Sequence, residues 1–293
     1  MKTEQDSNQS LPHVIVIGAG IGGIKASLDL ARTKHRVTLI DQSSAIGGVL
    51  MQLDYQFPNN HCGICRMLPM TEREIGTEFC LRKGIIDQNI QILSHATVSK
   101  INGNSGNYQI TVQKNQTGVD ASKCLSCGEC IDICPENRPD GFNESLVLQK
   151  AVYYSQPYQT PALPVIDEKT CTKCGKCQKI CPTDAIHLEF LDKTAALEDV
   201  SAIIVATGFE AFDPETQDVY ATKTFSNVLT GIKFERLISS SNIQQAKPVK
   251  PSNGEAIKKI AWVQCVGSRN LTINADYCSS ACCMMAIKET MLT

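Results

Sequence analysis

The chain has almost no net charge, no export signal and no long apolar run. Its 28 Lys and Arg against 30 Asp and Glu leave a formal charge of −2, too little to attract nucleic acid or an anionic membrane surface. The start, Met1-Lys2-Thr3-Glu4-Gln5-Asp6, lacks the basic and apolar regions of a signal peptide. No stretch approaches the roughly 18 uninterrupted apolar residues of a membrane span. Low-complexity tracts are missing, and the 5 histidines are scattered and unassigned, although His61 adjoins Cys62. What is plentiful is cysteine: 15 in 293 residues, an odd count. Without an export signal, that points to a cytoplasmic protein using sulfur for metal or redox chemistry, not for disulfides. A hydrophobic content of 42% permits a real core, and the length suits about two domains.

Eight of the cysteines form two copies of one pattern. Cys124-x2-Cys127-x2-Cys130-x3-Cys134-Pro135 is followed by Cys171-x2-Cys174-x2-Cys177-x3-Cys181-Pro182. This is the bacterial ferredoxin run, in which each fourth cysteine serves the other [4Fe–4S] cluster. Three thiolates come readily from one loop, but that loop cannot also wrap the far corner of the cube. Cys124, Cys127, Cys130 and Cys181 are therefore assigned to one cluster, and Cys171, Cys174, Cys177 and Cys134 to the other. Gly128 and Gly175 leave room for backbone N–H donors near the sulfurs. Paired zinc sites would use the C-x2-C units, but would explain neither the third equally spaced cysteine nor the trailing Cys-Pro. The connector between the copies, with Pro157, Pro161 and Pro164, is longer than a minimal ferredoxin requires.

The remaining cysteines are less definite. Cys265, Cys278, Cys282 and Cys283 could bind a cluster, fill a core or form a redox pair. Cys62-Gly63-Ile64-Cys65, in a loop after Pro58, could be a dithiol beside a flavin, ligands shared with a partner, or idle thiols. Cys80 reads as core.

The N-terminal region carries a second kind of site. His13–Ile17 is a continuous apolar run, as in a strand buried on both faces. Gly18, Gly20 and Gly23 then fit G-x-G-x-x-G, a helix runs from about Ile24 to Arg32, and a second strand, Arg36–Ile40, ends at Asp41. That βαβ pattern predicts a pyrophosphate at the helix N-terminus and a carboxylate accepting from a ribose hydroxyl. The fingerprint alone does not separate FAD from NAD. Gly47-Gly48 resembles the second glycine pair of two-dinucleotide-domain flavoproteins, and Ala206-Thr207-Gly208 the strand end that closes their FAD domain. Both suggest FAD, while glycine pairs and a strand-ending glycine are also common turn devices. Further strands are expected between about Asn89 and Gln113 around a turn at Asn102–Asn107, at Val200–Gly208, and at Ile260–Gln264. The sequence stops at Thr293 within a helical pattern that has no cap, as a fragment or one half of a split protein would.

Taken together, Ile17–Gly23, Ile46-Gly47-Gly48, Leu53 through the Cys62/Cys65 loop, both ferredoxin motifs, Val205–Phe209, Val263–Arg269 and Tyr277–Lys288 resemble the N-terminal part of the A subunit of heterodisulfide reductase. The resemblance covers nearly the whole chain. It implies an α/β fold: a Rossmann-like FAD domain, similar to thioredoxin reductase, with an inserted two-cluster α+β ferredoxin domain. The expected organisation is an FAD domain at 1–118, the ferredoxin insert at 119–190, the rest of the FAD domain at 191–255, and the start of a second nucleotide-domain-like region at 256–293. It also implies a third, non-standard [4Fe–4S] cluster on Cys265, Cys278, Cys282 and Cys283.

Members of that family take or divide electron pairs at FAD and pass single electrons through clusters to partner subunits, and some bifurcate. Ferredoxin, a hydrogenase or a dehydrogenase is the implied donor or acceptor, and disulfide cleavage belongs to another subunit. One departure is plain: the Gly-Asp that usually finishes such an FAD site is missing. Two alternatives remain at this stage. One is a ferredoxin-like relay module without flavin chemistry. The other is a reductase taking hydride directly from NAD(P)H, against which Cys265 stands where a nucleotide-binding glycine loop belongs.

Overall fold

The computed structural model describes residues 11–53, 85, 87–157, 159–190, 193–216, 219–239 and 248–293. His61, Cys62, Cys65 and Cys80 lie outside the described residues. The chain divides into two compact units. One comprises Met1–Gly48, Leu68–Arg138 and Lys150–Gly208, the other Val49–Met67, Pro139–Gln149 and Phe209–Thr293.

In the first unit, β1 (His13–Ile17), α1 (Ile21–Arg32) and β2 (Arg36–Ile40) form the expected βαβ opening. β3 (Ile90–Leu93), β4 (Ala96–Asn104) and β5 (Asn107–Lys114) follow. Along the chain come β6 (Asn137–Pro139) and β7 (Leu148–Lys150), each crossing a unit boundary, and then, in the first unit again, β8 (Val152–Tyr153), β9 (Val165–Ile166) and the long β10 (Lys193–Val205). The main sheet has the order β3-β2-β1-β10-β5-β4. β1 lies between β2 and β10, parallel to both, with Ile15 beside Thr38 and Ile203. β4 and β5 are antiparallel to each other, and β5 is antiparallel to β10.

The burial explains this arrangement. Val14, Ile15 and Val16 are fully enclosed because helix covers one face of β1, and Ile24, Leu28 and Ala31 of α1 supply that cover at helical spacing. Each Val, Ile or Leu among them contributes about 1.5–3 kcal/mol when fully buried. α1 starts at Ile21, three residues before the sequence-based expectation, so the third fingerprint glycine lies inside its first turn. β5 is half exposed, as an antiparallel strand with one solvated face is, and β4 is exposed over most of its length.

Between β5 and β10 the chain leaves the sheet and forms the cysteine-rich insert. Its ends are tied together by the antiparallel bridge Val119–Ile186, with Asp120 N–H donating to Ala185 O at 2.8 Å. Two short helices, α2 (Glu129–Asp132) and α3 (Lys176–Ile180), follow the second cysteine of each run. The insert's core is partly sulfur: Cys130, Cys134 and Cys177 are buried with Ala151, Val152, Ile166 and Ile186.

The second unit contains α4 (Gly231–Ile238) and α5 (Cys282–Leu292). Thr230 caps α4 by accepting from Lys233 N–H. Phe234 meets Trp262 edge to face at 6.3 Å. Buried Arg236 lies over Phe142 and donates to Asn143 Oδ1 and Gln52 O. The strand expected at Ile260–Gln264 does not form. Among the described residues no strand pairs with it, Val263 is exposed, and Trp262 is held by its Nε1–H to Glu289 at 2.9 Å. An extended apolar run becomes a strand only against a partner edge.

Candidate metal centres and nucleotide site

All seven residues expected at the nucleotide belong to the first unit, and several meet at the carboxyl ends of β1, β2 and β10. Gly18 turns with φ +100°, and a Cβ there would sit 2.3 Å from Ala206 O. A Cβ on Gly23 would sit 1.8 Å from Gly18 O. These two glycines are thus required by the close packing of turn, helix and strand. Gly20 differs: a Cβ there meets nothing within 4 Å. It caps α1 without a side-chain hydrogen bond, and the first turn carries no acid. The first-turn N–H groups therefore present positive potential that no side chain of that turn cancels.

Gly47 and Gly48 are drawn onto the same loop. Gly47 N–H donates to Ala19 O at 2.8 Å, and a Cβ on Gly48 would lie 3.0 Å from Gly20 Cα. Asp41 Oδ2 accepts from Ala19 N–H at 2.5 Å and Oδ1 from Ser43 N–H at 2.7 Å. Each oxygen keeps a lone pair for a further donor. Gly208, with φ +75°, ends the segment that follows β10. The glycine cradle, bare helix end and anchored carboxylate fit a dinucleotide such as FAD.

The insert gathers its eight cysteines around two cavities in the crossed order. One is lined by Cys124, Cys127, Cys130 and Cys181. The other is lined by Cys134, Cys171, Cys174 and Cys177. All twelve described cysteines are free thiols. Among the described residues no group of His, Cys, Asp or Glu converges as a single metal ion would need. Four sulfurs spread around a cavity fit a cube better than one tetrahedral ion.

The two runs also share a backbone device that spacing does not reveal. Ser126 and Lys173 take positive φ, 57° and 53°, and each donates its N–H to the sulfur two residues earlier at 3.4 Å. Burial pushes the Cys130 thiol up to about 11, reinforced by Cys124 and Cys127. Cys177 is raised for the same reason, with Cys171 adding. Burial also acts against Cys181, but N–H donation from Thr183 and Ala185 outweighs it and lowers that thiol. The buried thiols thus keep their protons until a cation displaces them.

In the second unit, Arg269 N–H bonds Tyr277 O, and Asn270 pairs with Ala275, so the loop folds back between Cys265 and Cys278. The N–H of Cys265 lowers the Cys282 thiol, with the Ser279 hydroxyl helping, and proximity to Cys282 raises Cys283. Ser280, at φ 59°, donates its N–H to Cys278 Sγ at 3.4 Å, repeating the device of the insert. The four cysteines are thus neighbours, and Arg269 Nη1 stands 3.9 Å from Cys265 Sγ.

A 4Fe-4S binding domain matches residues 117–137 and 164–187, and an NAD(P)-binding Rossmann-like domain matches 16–63. A CoB–CoM heterodisulfide reductase iron-sulfur A subunit of Methanopyrus kandleri, the one numbered 2, is 39% identical over 95% of this chain and 41% of its own length. The A subunit of the H2:CoB-CoM heterodisulfide,ferredoxin reductase of Methanothermobacter marburgensis is 34% identical over 95% of this chain and 40% of its own. Over this span the chain is similar to heterodisulfide reductase A subunits. It spans about two fifths of the length of these relatives. L-proline dehydrogenase from P. horikoshii, a solved structure, overlaps 38% of this chain and 22% of its own at 17% identity and a TM-score of 0.25. That overlap is too slight to add to the argument. No described helix is long and apolar enough to cross a membrane.

The sequence reading missed one group. Buried Glu235, Lys288 and Glu289 cluster between α4 and α5, with Lys288 paired to Glu235 and Glu289 bonded to Trp262. Lys288 and Glu289 follow one another, but Glu235 lies 53 residues from Lys288, so no local pattern announces the set.

Proposed function

We propose that this chain is the FAD- and cluster-binding part of a cytoplasmic electron-transfer subunit in a heterodisulfide-reductase-like complex. Gly18, Gly20 and Gly23, with Gly47, Gly48 and Gly208, shape the backbone that receives the pyrophosphate, and Asp41 receives a ribose hydroxyl. Cys124, Cys127, Cys130 and Cys181 hold one [4Fe–4S] cluster, and Cys134, Cys171, Cys174 and Cys177 the second. Cys265, Cys278, Cys282 and Cys283 hold the third. When bound, FAD supplies two-electron chemistry and the clusters one-electron chemistry. The chain's own contribution is to hold and insulate these groups. Buried Cys130, Cys134 and Cys177 keep water from the sulfurs, and the N–H donors of Ser126, Lys173 and Ala185 offset thiolate charge.

The domain limits read from the sequence, 1–118, 119–190, 191–255 and 256–293, belong to the same proposal. So do partner subunits, with ferredoxin, a hydrogenase or a dehydrogenase as donor or acceptor.

The observation that carries the reading is the crossing of the fourth cysteines, Cys181 to the first cavity and Cys134 to the second. The test is anaerobic iron and flavin analysis with EPR on the full-length gene product. About twelve irons are expected for three cubanes, with flavin present. About eight irons would remove the third cluster, and zinc in place of iron would overturn the reading.

A further inference from the structure

The two cysteine lobes share a backbone and oppose each other in charge. Their corresponding stretches, 121–137 and 168–184, are read with Ser126 matching Lys173, Glu129 matching Lys176 and Asp132 matching Lys179. The first stretch holds Lys123 against Glu129, Asp132 and Glu136. The second holds Lys169, Lys173, Lys176 and Lys179 against Glu168 and Asp184. The left-handed turn, the N–H to sulfur bond and the short helix recur in both. The contrast is therefore no by-product of folding, since the same turn tolerates either sign.

Position makes the contrast useful. Lys173, Lys176 and Lys179 are exposed around exposed Cys174, and Ile180 offers an apolar spot among them. Among the described residues none of these three lysines is in an ion pair. Lys173 Nζ rests 5.6 Å from the Phe190 ring, a contact that leaves its charge uncancelled. The nearby acid Glu136 is engaged in part by the Thr172 hydroxyl at 3.1 Å. An apolar spot among three unpaired lysines, with the acid Glu136 at its edge, suits a transient partner of negative charge.

We infer that the surface around Cys171–Cys181 docks a small acidic electron-carrier protein, and that the Cys124–Cys134 lobe repels the same carrier. The inference rests on the cluster reading above and adds which lobe faces the carrier and by what chemistry.

The test uses the full chain with its clusters in place and a small acidic ferredoxin as probe, with binding measured by calorimetry at 50 and 300 mM salt. The variant K173S/K176E/K179D gives the second lobe the residues that the first already accommodates in the same turn. The reciprocal variant is S126K/E129K/D132K. Wild-type affinity should fall about tenfold or more across that salt range, and the first variant should lose about tenfold or more at low salt. The reciprocal variant should bind at least as tightly as wild type. Docking is refuted if the first variant keeps its iron and wild-type affinity, if binding ignores salt, or if a basic cytochrome of similar size binds more tightly. Iron missing from every protein would instead refute the cluster reading, so the two failures are separable.

Discussion

The cysteines of the insert and those of the second unit stand in opposite surroundings. In the insert, sulfur is part of the core: Cys130 and Cys134 are 9% exposed and Cys177 6%, and apolar side chains pack directly on them. In the second unit, Cys278 and Cys283 are exposed and Cys265 and Cys282 only half buried. There α5 is held by its other end, through Lys288 to Glu235 and Glu289 to Trp262. Ligation and folding should therefore be one event in the insert and separate events in the second unit.

The largest expected effect follows from that difference. Removing iron by anaerobic chelation should unfold the insert, seen as rapid proteolysis within 119–190, while α4 and α5 keep their amide protection. Equal loss of protection in both places would end the distinction. Within the insert, Cys181→Ala should erase the EPR signal of the Cys124 lobe, and Cys134→Ala that of the Cys171 lobe, each with the loss of about four irons. Loss of the variant's own lobe instead would contradict the crossed cavities. Next in size, Cys278→Ala should remove about four irons and one signal, leaving the insert's protease resistance and the melting of the second unit near wild type.

The sequence is legible where chemistry needs several residues of one chain segment. The β1-turn-α1 fingerprint and the two cysteine runs are of this kind, because pyrophosphate and cube each draw on residues within about one turn. The crossing of Cys134 and Cys181 is legible too, since three-residue spacing leaves the fourth corner unreachable locally. What stays hidden depends on distant partners. The strand expected at Ile260–Gln264 has the right composition but finds no edge among the described residues. The antiparallel docking of β5 on β10 joins segments some 80 residues apart. The buried charges of α4 and α5 break the ordinary rule that charged residues stay exposed, so composition places them on the surface.

The same contrast between residues required by the fold and residues required by a ligand exists within the glycine fingerprint. Gly23→Ala puts a Cβ 1.8 Å from Gly18 O and should destabilise the first unit by several kcal/mol. Gly20→Ala meets open space, so its stability should change by less than about 1 kcal/mol. It should nevertheless lose bound flavin, because the methyl group occupies the approach to the helix end. Chemical denaturation paired with flavin retention checks both variants. Full flavin retention in folded Gly20→Ala would leave the cradle without its ligand.

The smallest effect concerns the packing that holds the far end of α5 through Lys288 and Glu289. Burial lifts the Glu289 carboxyl to about 7 from an ordinary 4.5; the Trp262 N–H opposes this, the Glu235 charge adds to it, and Lys288 opposes it again. A raised folded value means that the folded state holds the proton more tightly than the unfolded one. The contribution is then fully present below about 4.5, the ordinary value, and is lost as pH climbs through about 7. The second unit should thus be less stable at pH 8 than at pH 5, by at most about 3 kcal/mol from this group. Glu289→Gln keeps the shape and an acceptor for Trp262 but cannot ionise, so its urea midpoint should vary less over that range and exceed wild type at pH 8. A wild-type pH profile in Glu289→Gln would overturn the claim that this end of α5 anchors the helix while it holds a buried proton.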